Sequence, residues 1–299
     1  MPGLDDGCSV SLKDLARNLL SQTNGQALLL ARFIRKLPAL WRQEQAMAQH
    51  QGSHSNRIFI KGTDHNEFYP IYSPEDRDTT AGSYIRTYSL FCHQANAWYM
   101  RNELNNFINE ARKVSSLADI GSAEGFYSAL FASMHPGSAQ ILSVDCGSST
   151  GCIPEHSQSV LKQNSAAFSP KRWDYVKAFI TGPQKQRPSF SLPQDCQVTT
   201  LPDLFEAQNF HPQLIKLDIE SSEFDALEDP AMLRYLQEHK PCLIIEVHNL
   251  ELSQRGLKFD TPLQKLNQAG FEVCAFDVPN YLEAGNCHVV IKPISKEAN

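Results

Sequence analysis

The sequence predicts an α/β protein with a Rossmann-like, mostly parallel seven-stranded sheet, a closing antiparallel hairpin and an N-terminal helical extension. Three observations predict it. After Lys113, short β-rich apolar runs alternate with stretches of helical periodicity. The first run ends in a glycine loop, Gly121 to Gly125, that leads into a helix. The last two runs follow one another with no helical stretch between them. On this reading the chain divides into an N-terminal extension or lid, residues 1–113, and a ligand-binding α/β domain, residues 114–299.

The elements follow in order. Apolar residues at helical spacing, Leu12, Leu15, Leu19 and Leu20, then Leu28, Leu29, Phe33 and Ile34, predict two or three short helices within 11–45. Asn24-Gly25 and Pro38 break them. Residues 57–88 mix aromatics with Asp, Pro and Gly and show no period. A longer helix is predicted over 89–113, with Phe91, Trp98, Leu104, Phe107 and Ile108 along one broad side. Strands are then predicted at Ser116–Ile120, Gln140–Asp145, Asp174–Phe179, Leu214–Ile219, Cys242–Val247, Phe271–Asp277 and Cys287–Ile291. Helices are predicted near Phe126–Met134, Glu155–Phe168, Pro202–Gln208, Ser222–Gln237 and Thr261–Gln268. Strand–helix alternation implies right-handed crossovers and a parallel sheet covered on both faces. Thr181 to Gln197, with Pro183, Pro188 and Pro193, reads as an exposed loop beside the sheet.

Composition bounds the function. Hydrophobic residues make up 41% of the 299, enough for a large core, so a disordered chain is excluded. A net charge of −6 argues against nucleic-acid and anionic-membrane partners. The acidic start lacks the basic region of a signal peptide, and the early apolar stretch Ala27 to Ile34 is interrupted by Arg32. The expectation is a soluble, cytoplasmic protein. Its eight cysteines contain no C-x-x-C pair, so reduced thiols are expected rather than a structural zinc.

The segment Leu117 to Ser128 reads LADIGSAEGFYS, a strand, a glycine loop and a helix start. Candidate cofactor contacts are Asp119, Gly121, Ser122, Ala123, Glu124, Gly125, Tyr127 and Ser128. Twenty residues beyond Gly125, Asp145 ends the next strand, where a carboxylate can accept both hydrogens of a ribose diol. A nicotinamide dinucleotide needs G-x-G-x-x-G to approach a pyrophosphate; here only G-x-x-x-G occurs, in a loop that carries Asp119 and Glu124. Those carboxylates suit a ligand carrying a sulfonium and an ammonium group but no phosphate, namely S-adenosyl-L-methionine. An NAD(P)-dependent oxidoreductase and a catalytically silent Rossmann-like binding module stay open as alternatives.

The second half carries a longer pattern. IKLDIESSEFDALE, Ile215 to Glu228, is followed by KPCLIIEVHN, Lys240 to Asn249, and preceded by TTLPDLF, Thr199 to Phe205. This resembles the FkbM family of SAM-dependent methyltransferases, in which a strand reading I-K-[IL]-D-[VI]-E-G-x-E precedes a helix and then P-x-[IL]-x-x-E-x-H. The resemblance covers about Leu117 to Ile291 and implies the class I methyltransferase fold. It also implies O-methylation of a hydroxyl on a sugar or another secondary-metabolite small molecule. Two departures stand out: Ser221 replaces the family's glycine, and Asp145 stands where a Glu-Pro pair is usual.

Two-residue periodicity places Asp218, Glu220, Glu246 and His248 together at the carboxyl edge of the sheet, with Lys216 on the same face. These four are the candidate catalytic residues. His248 is the first choice for general base because imidazole titrates near neutrality, with Asp218 as the alternative. Glu246 or Glu220 is expected to orient His248 or bind substrate hydroxyls. The same four residues could instead hold a divalent cation such as Mg²⁺, an alternative that is not favoured. Glu223 is expected to favour a helix N-terminus through its charge. The N-terminal helices and residues 57–88 are expected to form a lid, a substrate wall or a homodimer contact, with Tyr84, Tyr88, His93 and Trp98 as candidate substrate contacts.

Overall fold

A computed structural model describes residues 57–60, 69–72, 98–147, 154–186, 191–276 and 285–294. The expected N-terminal helices, with Tyr84, Tyr88 and His93, lie outside these residues, as does the side chain of Trp98. Residues 56–299 form one compact unit. It begins with a hairpin that shows no period in the sequence, β1 (Arg57–Ile60) antiparallel to β2 (Tyr69–Tyr72). Four residues per strand are too few for alternation to register, although Ile60, Tyr69 and Ile71 are buried. Helix α1 (Trp98–Ala111) buries Leu104, Phe107, Ile108 and Ala111, an i, i+3, i+4, i+7 stripe.

The alternating region follows: β3 (Ser116–Ile120), α2 (Phe126–Met134), β4 (Gln140–Asp145), α3 (Pro154–Phe168), β5 (Arg172–Ile180) and β6 (Gln197–Thr199). Then come α4 (Leu201–Ala207), β7 (Leu214–Leu217), α5 (Ser222–Glu228), α6 (Pro230–His239), β8 (Cys242–His248), α7 (Asn249–Gln254), α8 (Asp260–Gln268), β9 (Phe271–Phe276) and β10 (Asn286–Pro293). The sheet holds eight strands in the order β6-β5-β4-β3-β7-β8-β10-β9. β10 runs antiparallel to both β8 and β9, which is the expected closing hairpin.

Three differences from the sequence reading have physical causes. β6 adds a short parallel edge strand at the end of the proline-containing loop, pairing Gln197 to Thr199 with Ala178 to Ile180. The helix expected over 222–237 is two helices. Pro230 offers no N–H to continue the first, and Asp229 starts the second by accepting the Ala231 N–H at 2.8 Å. The segment after His248 turns at once into α7, a helix too short for a period to mark.

Two-residue alternation sorts the strands between two cores. Ala118, Ile120, Ile215, Leu217, Leu243, Ile245 and Val247 face α4, α5, α6 and α8. Leu117, Ile141, Leu214, Ile244 and Val290 face α1, α2 and the β1–β2 hairpin. Lys216, Glu246, His248 and His288 share the parity of the second set, so they project toward the α1 side of the sheet. The chain leaves β3 toward β4 on one side and returns to β7 on the other. That reversal is where open α/β sheets bind ligands.

Candidate active site

Gly121 opens the loop after β3. Its N–H donates to Val144 O at 2.8 Å, as does that of Ser122 at 2.9 Å, tying the loop to the end of β4. Gly121 has φ +82°, and a Cβ there would lie 1.6 Å from the carbonyl oxygen of Asp218. Only glycine lets the β3 and β7 termini approach this closely. Asp145 braces the loop from β4: Oδ2 accepts the Ala123 N–H at 3.0 Å and Oδ1 the Gly147 N–H at 2.7 Å. Burial raises its pKa, and the two backbone donors oppose that rise. The Ser122 hydroxyl is buried in this loop without a hydrogen-bond partner.

Several of the candidate cofactor contacts also make contacts within the chain. The Asp119 carboxylate accepts both the backbone N–H of Ser128 at 3.0 Å and its hydroxyl at 2.6 Å. Ser143 Oγ lies 2.7 Å from Ser128 Oγ and accepts from Trp173 Nε1 at 2.9 Å. Asp119 and Ser128 thereby anchor the first turn of α2 to the end of β3. Burial raises the Asp119 pKa in spite of these donors. Tyr127 packs on Phe107, with ring centroids 4.6 Å apart, and its ring lies 5.1 Å from Lys216 Nζ. Glu124 is buried, and Gly125, at φ +85°, starts α2.

The second group gathers at the ends of β7 and β8. His248 Nδ1 lies 3.0 Å from Glu223 Oε1, which also accepts the Ile219 N–H at 2.7 Å. The orienting partner of His248 is thus Glu223, not Glu246 or Glu220. Glu223 does more than charge a helix terminus; it locks the turn after β7 and fixes the imidazole together. His248 Nε2 then faces Asp218 Oδ1 at 3.8 Å, Glu246 Oε1 at 3.8 Å and Glu220 Oε2 at 3.6 Å. Glu220 and Ser221 adopt φ +54° and +75°, so Ser221 holds a left-handed conformation that favours glycine. Arg255 clamps this turn, donating to Ser221 O at 2.9 Å and through Nη2 to both oxygens of Asp225 at 2.8 Å.

Beneath these residues lies a buried charge network that reaches beyond the sequence-derived set. Lys216 Nζ sits 3.1 Å from Asp218 Oδ2 and 3.2 Å from Glu103 Oε1 of α1. His288 Nε2 of β10 sits 3.0 Å from Glu103 Oε2 and 3.2 Å from Glu246 Oε2. Neither Glu103 nor His288 was among the candidates. A signal existed for both: Glu103 falls at i, i+4, i+8 with Phe107 and Ala111 on the apolar side of α1, and His288 interrupts a strand of Cys, Val and Ile.

Each shift in acidity has a cause. Burial raises Asp218 to about 7, and the neighbouring Lys216 offsets only part of that. Burial would lower His248, but the hydrogen bond and charge of Glu223, then the charges of Glu246 and Asp218, push it up to about 9. Burial would also raise Glu103 and Glu246. The charge of His288, aided by Lys216, brings Glu103 to about 2 and holds Glu246 well below the ordinary range. Lys216 rises well above its usual value because Asp218, Glu103 and Glu246 outweigh its burial. The group that titrates near neutrality is therefore Asp218, whereas His248 is an imidazolium there.

Asp218, Glu246 and His248 each offer one ligand atom within 4.8 Å of the others. The donor types suit a hard cation. Asp218 Oδ2 and Glu246 Oε2 face Lys216 and His288, while Asp218 Oδ1 and Glu246 Oε1 face His248 Nε2. The arrangement sets an imidazole and two carboxylates beside a glycine loop at a topological switch point.

This fold is the class I methyltransferase architecture. A family model described as a methyltransferase FkbM domain matches residues 120–273. The chain belongs to the FkbM methyltransferase family. No curated protein matches the sequence. Similar solved structures include a ribosomal-protein methylase from Lactobacillus delbrueckii subsp. bulgaricus, 14% identical, with a TM-score of 0.37 over 65% of this chain and 80% of that one. A methyltransferase from Geobacter sulfurreducens is 16% identical, with a TM-score of 0.39 over 64% and 78% of the two chains. An O-methyltransferase family protein from Burkholderia thailandensis is 10% identical, with a TM-score of 0.36 over 70% and 63%. Among the described residues, no helix is long and apolar enough to cross a membrane.

Proposed function

We propose that this protein is an S-adenosylmethionine-dependent O-methyltransferase acting on a hydroxyl of a sugar or secondary-metabolite small molecule. The observation that carries the reading is the meeting of Asp218, Glu246 and His248 beside the Gly121 loop. The loop residues fit the cofactor. Ser122 keeps a buried hydroxyl without a partner, and Asp145, with two lone pairs on each oxygen, retains capacity for a ribose diol after its two backbone bonds. Ser122, Ala123 and Gly125 would hold it from the loop, with Asp145 at the ribose and the acidic cluster near its cationic centre. The bound cofactor supplies an electrophilic methyl group.

The chain's own residues handle the proton. Asp218, ionised above about 7, accepts the proton of the acceptor hydroxyl as that oxygen gains the methyl group. His248, held as an imidazolium by Glu223, keeps Asp218 and Glu246 in place and stabilises the carboxylate form of Asp218 before it is protonated. The base role expected of His248 thus passes to its neighbour. Glu220, whose side chain is 79% exposed, would meet a hydroxylated acceptor from the solvent side.

Incubation with methyl-labelled S-adenosylmethionine and a panel of polyhydroxylated small molecules tests the reading. Label appearing as an O-methyl ether with wild type, and lost with Asp218→Asn, is expected. Label recovered only on nitrogen or carbon, or undiminished in the variant, contradicts it.

A further inference from the structure

We propose that Glu103, in helix α1, is a positioning residue of the reaction, holding both Asp218 and Glu246 from below through two separate bridges. The proposal rests on the methyltransferase reading above. It lies outside the matched region, 120–273, since Glu103 precedes that region and His288, its second partner, follows it.

Period-two alternation aims Lys216, Glu246, His248 and His288 at the α1 face of the sheet. Glu103 descends into the middle of them from the helix. It is 0% exposed, and Lys216 and His288 are almost as deeply buried. Its two oxygens serve different neighbours. Oε1 meets Lys216 at 3.2 Å, whose ammonium meets Asp218 at 3.1 Å. Oε2 meets His288 at 3.0 Å, whose same nitrogen meets Glu246 at 3.2 Å. One rigid carboxylate thereby fixes the two groups that present Asp218 and Glu246 to His248. Burying ionised groups this deeply is unfavourable unless each is paired, so removing the central one leaves its partners to re-pair among themselves. The acids facing the reaction would then turn inward, and misplacement of this kind is felt in turnover rather than in cofactor affinity. The fork also gives α1 a role: it delivers the floor of the site.

Glu103→Gln and Glu103→Asp in the full chain test this. With any acceptor that the wild type methylates, Glu103→Gln is expected to lower kcat about 100-fold, a loss of the size that misplaced groups cause. Calorimetric affinity for S-adenosylmethionine should stay near that of wild type. The acid limb of the rate profile should move below about 7, because Glu103 adds its charge to the burial that chiefly raises Asp218. Glu103→Asp keeps the charge but cannot span both bridges, so it should lose turnover while leaving that limb in place. If Glu103→Gln does not fold, the Asp variant carries the test, and wild-type kcat there overturns the proposal. So does an unmoved limb in a folded Glu103→Gln. Carbon-13 titration of Asp218 reads the same midpoint without an acceptor. A wild type that binds no S-adenosylmethionine would sink the methyltransferase reading alone, with this midpoint still judging Glu103.

Discussion

Glu223 and His248 are joined by a 3.0 Å contact between Oε1 and Nδ1, and the same oxygen accepts the Ile219 N–H. One side chain therefore sets the turn after β7, the orientation of the imidazole and its charge. Removing the charge while keeping the shape separates these effects. Glu223→Gln should fold and bind cofactor, but His248 should fall from about 9 toward its ordinary 6.5. The alkaline limb of the rate profile will move down with it. An unchanged limb, measured from pH 6 to 10, would remove His248 from the ionisations that matter.

For wild type the account predicts a bell-shaped rate profile. The acidic limb, near 7, reports ionisation of Asp218; the alkaline limb, near 9, reports loss of the His248 proton. Asp218→Asn should cost about 10²–10⁴ in kcat, the usual contribution of a positioned proton acceptor.

Stability should respond to acid through Glu103. Its pKa is about 2 in the fold against an ordinary 4.5, so the folded state binds fewer protons than the unfolded one between those values. The stabilisation is fully present above 4.5 and is lost as pH falls toward 2. Denaturant melts across that range should show the midpoint falling for wild type, with a shallower decline in Glu103→Gln.

The two loop glycines should differ sharply. At Gly121 a Cβ collides with the Asp218 backbone at 1.6 Å, so Gly121→Ala should destabilise by about 3 kcal/mol or more and abolish cofactor binding. At Gly125 the nearest atom is 3.8 Å from the added Cβ, leaving only the left-handed backbone cost of about 1–2 kcal/mol. Ser221 shows the converse: with φ at +75°, Ser221→Gly should stabilise by about 1 kcal/mol. Thermal melts of the three variants check the order.

Much of this site is legible in the sequence because strands impose a period of two. Once Leu217 and Val247 are read as core, Lys216, Glu246 and His248 must share the other face. The Gly121 loop is legible because its spacing fits a strand-to-helix turn. Other parts are not. Asp119 and Tyr127 lie in the motif, yet nothing local shows that one would turn to Ser128 and the other pack against Phe107. Glu103 gains its meaning only when α1 lands on the sheet, and its partners are more than a hundred residues away. The break at Pro230 is legible from proline chemistry alone, because proline has no N–H to continue a helix.

In the proposed reading, S-adenosylmethionine binds at the Gly121 loop with Asp145 at its ribose. Titration calorimetry of wild type and Asp145→Ala with S-adenosylmethionine, with NADH as the competing ligand, tests it most directly. One site for S-adenosylmethionine and none for NADH are expected, with affinity weakened about tenfold or more in the variant, as loss of a charge-assisted hydrogen bond requires. Wild type that binds no S-adenosylmethionine, or a variant that binds it as tightly as wild type, would contradict it.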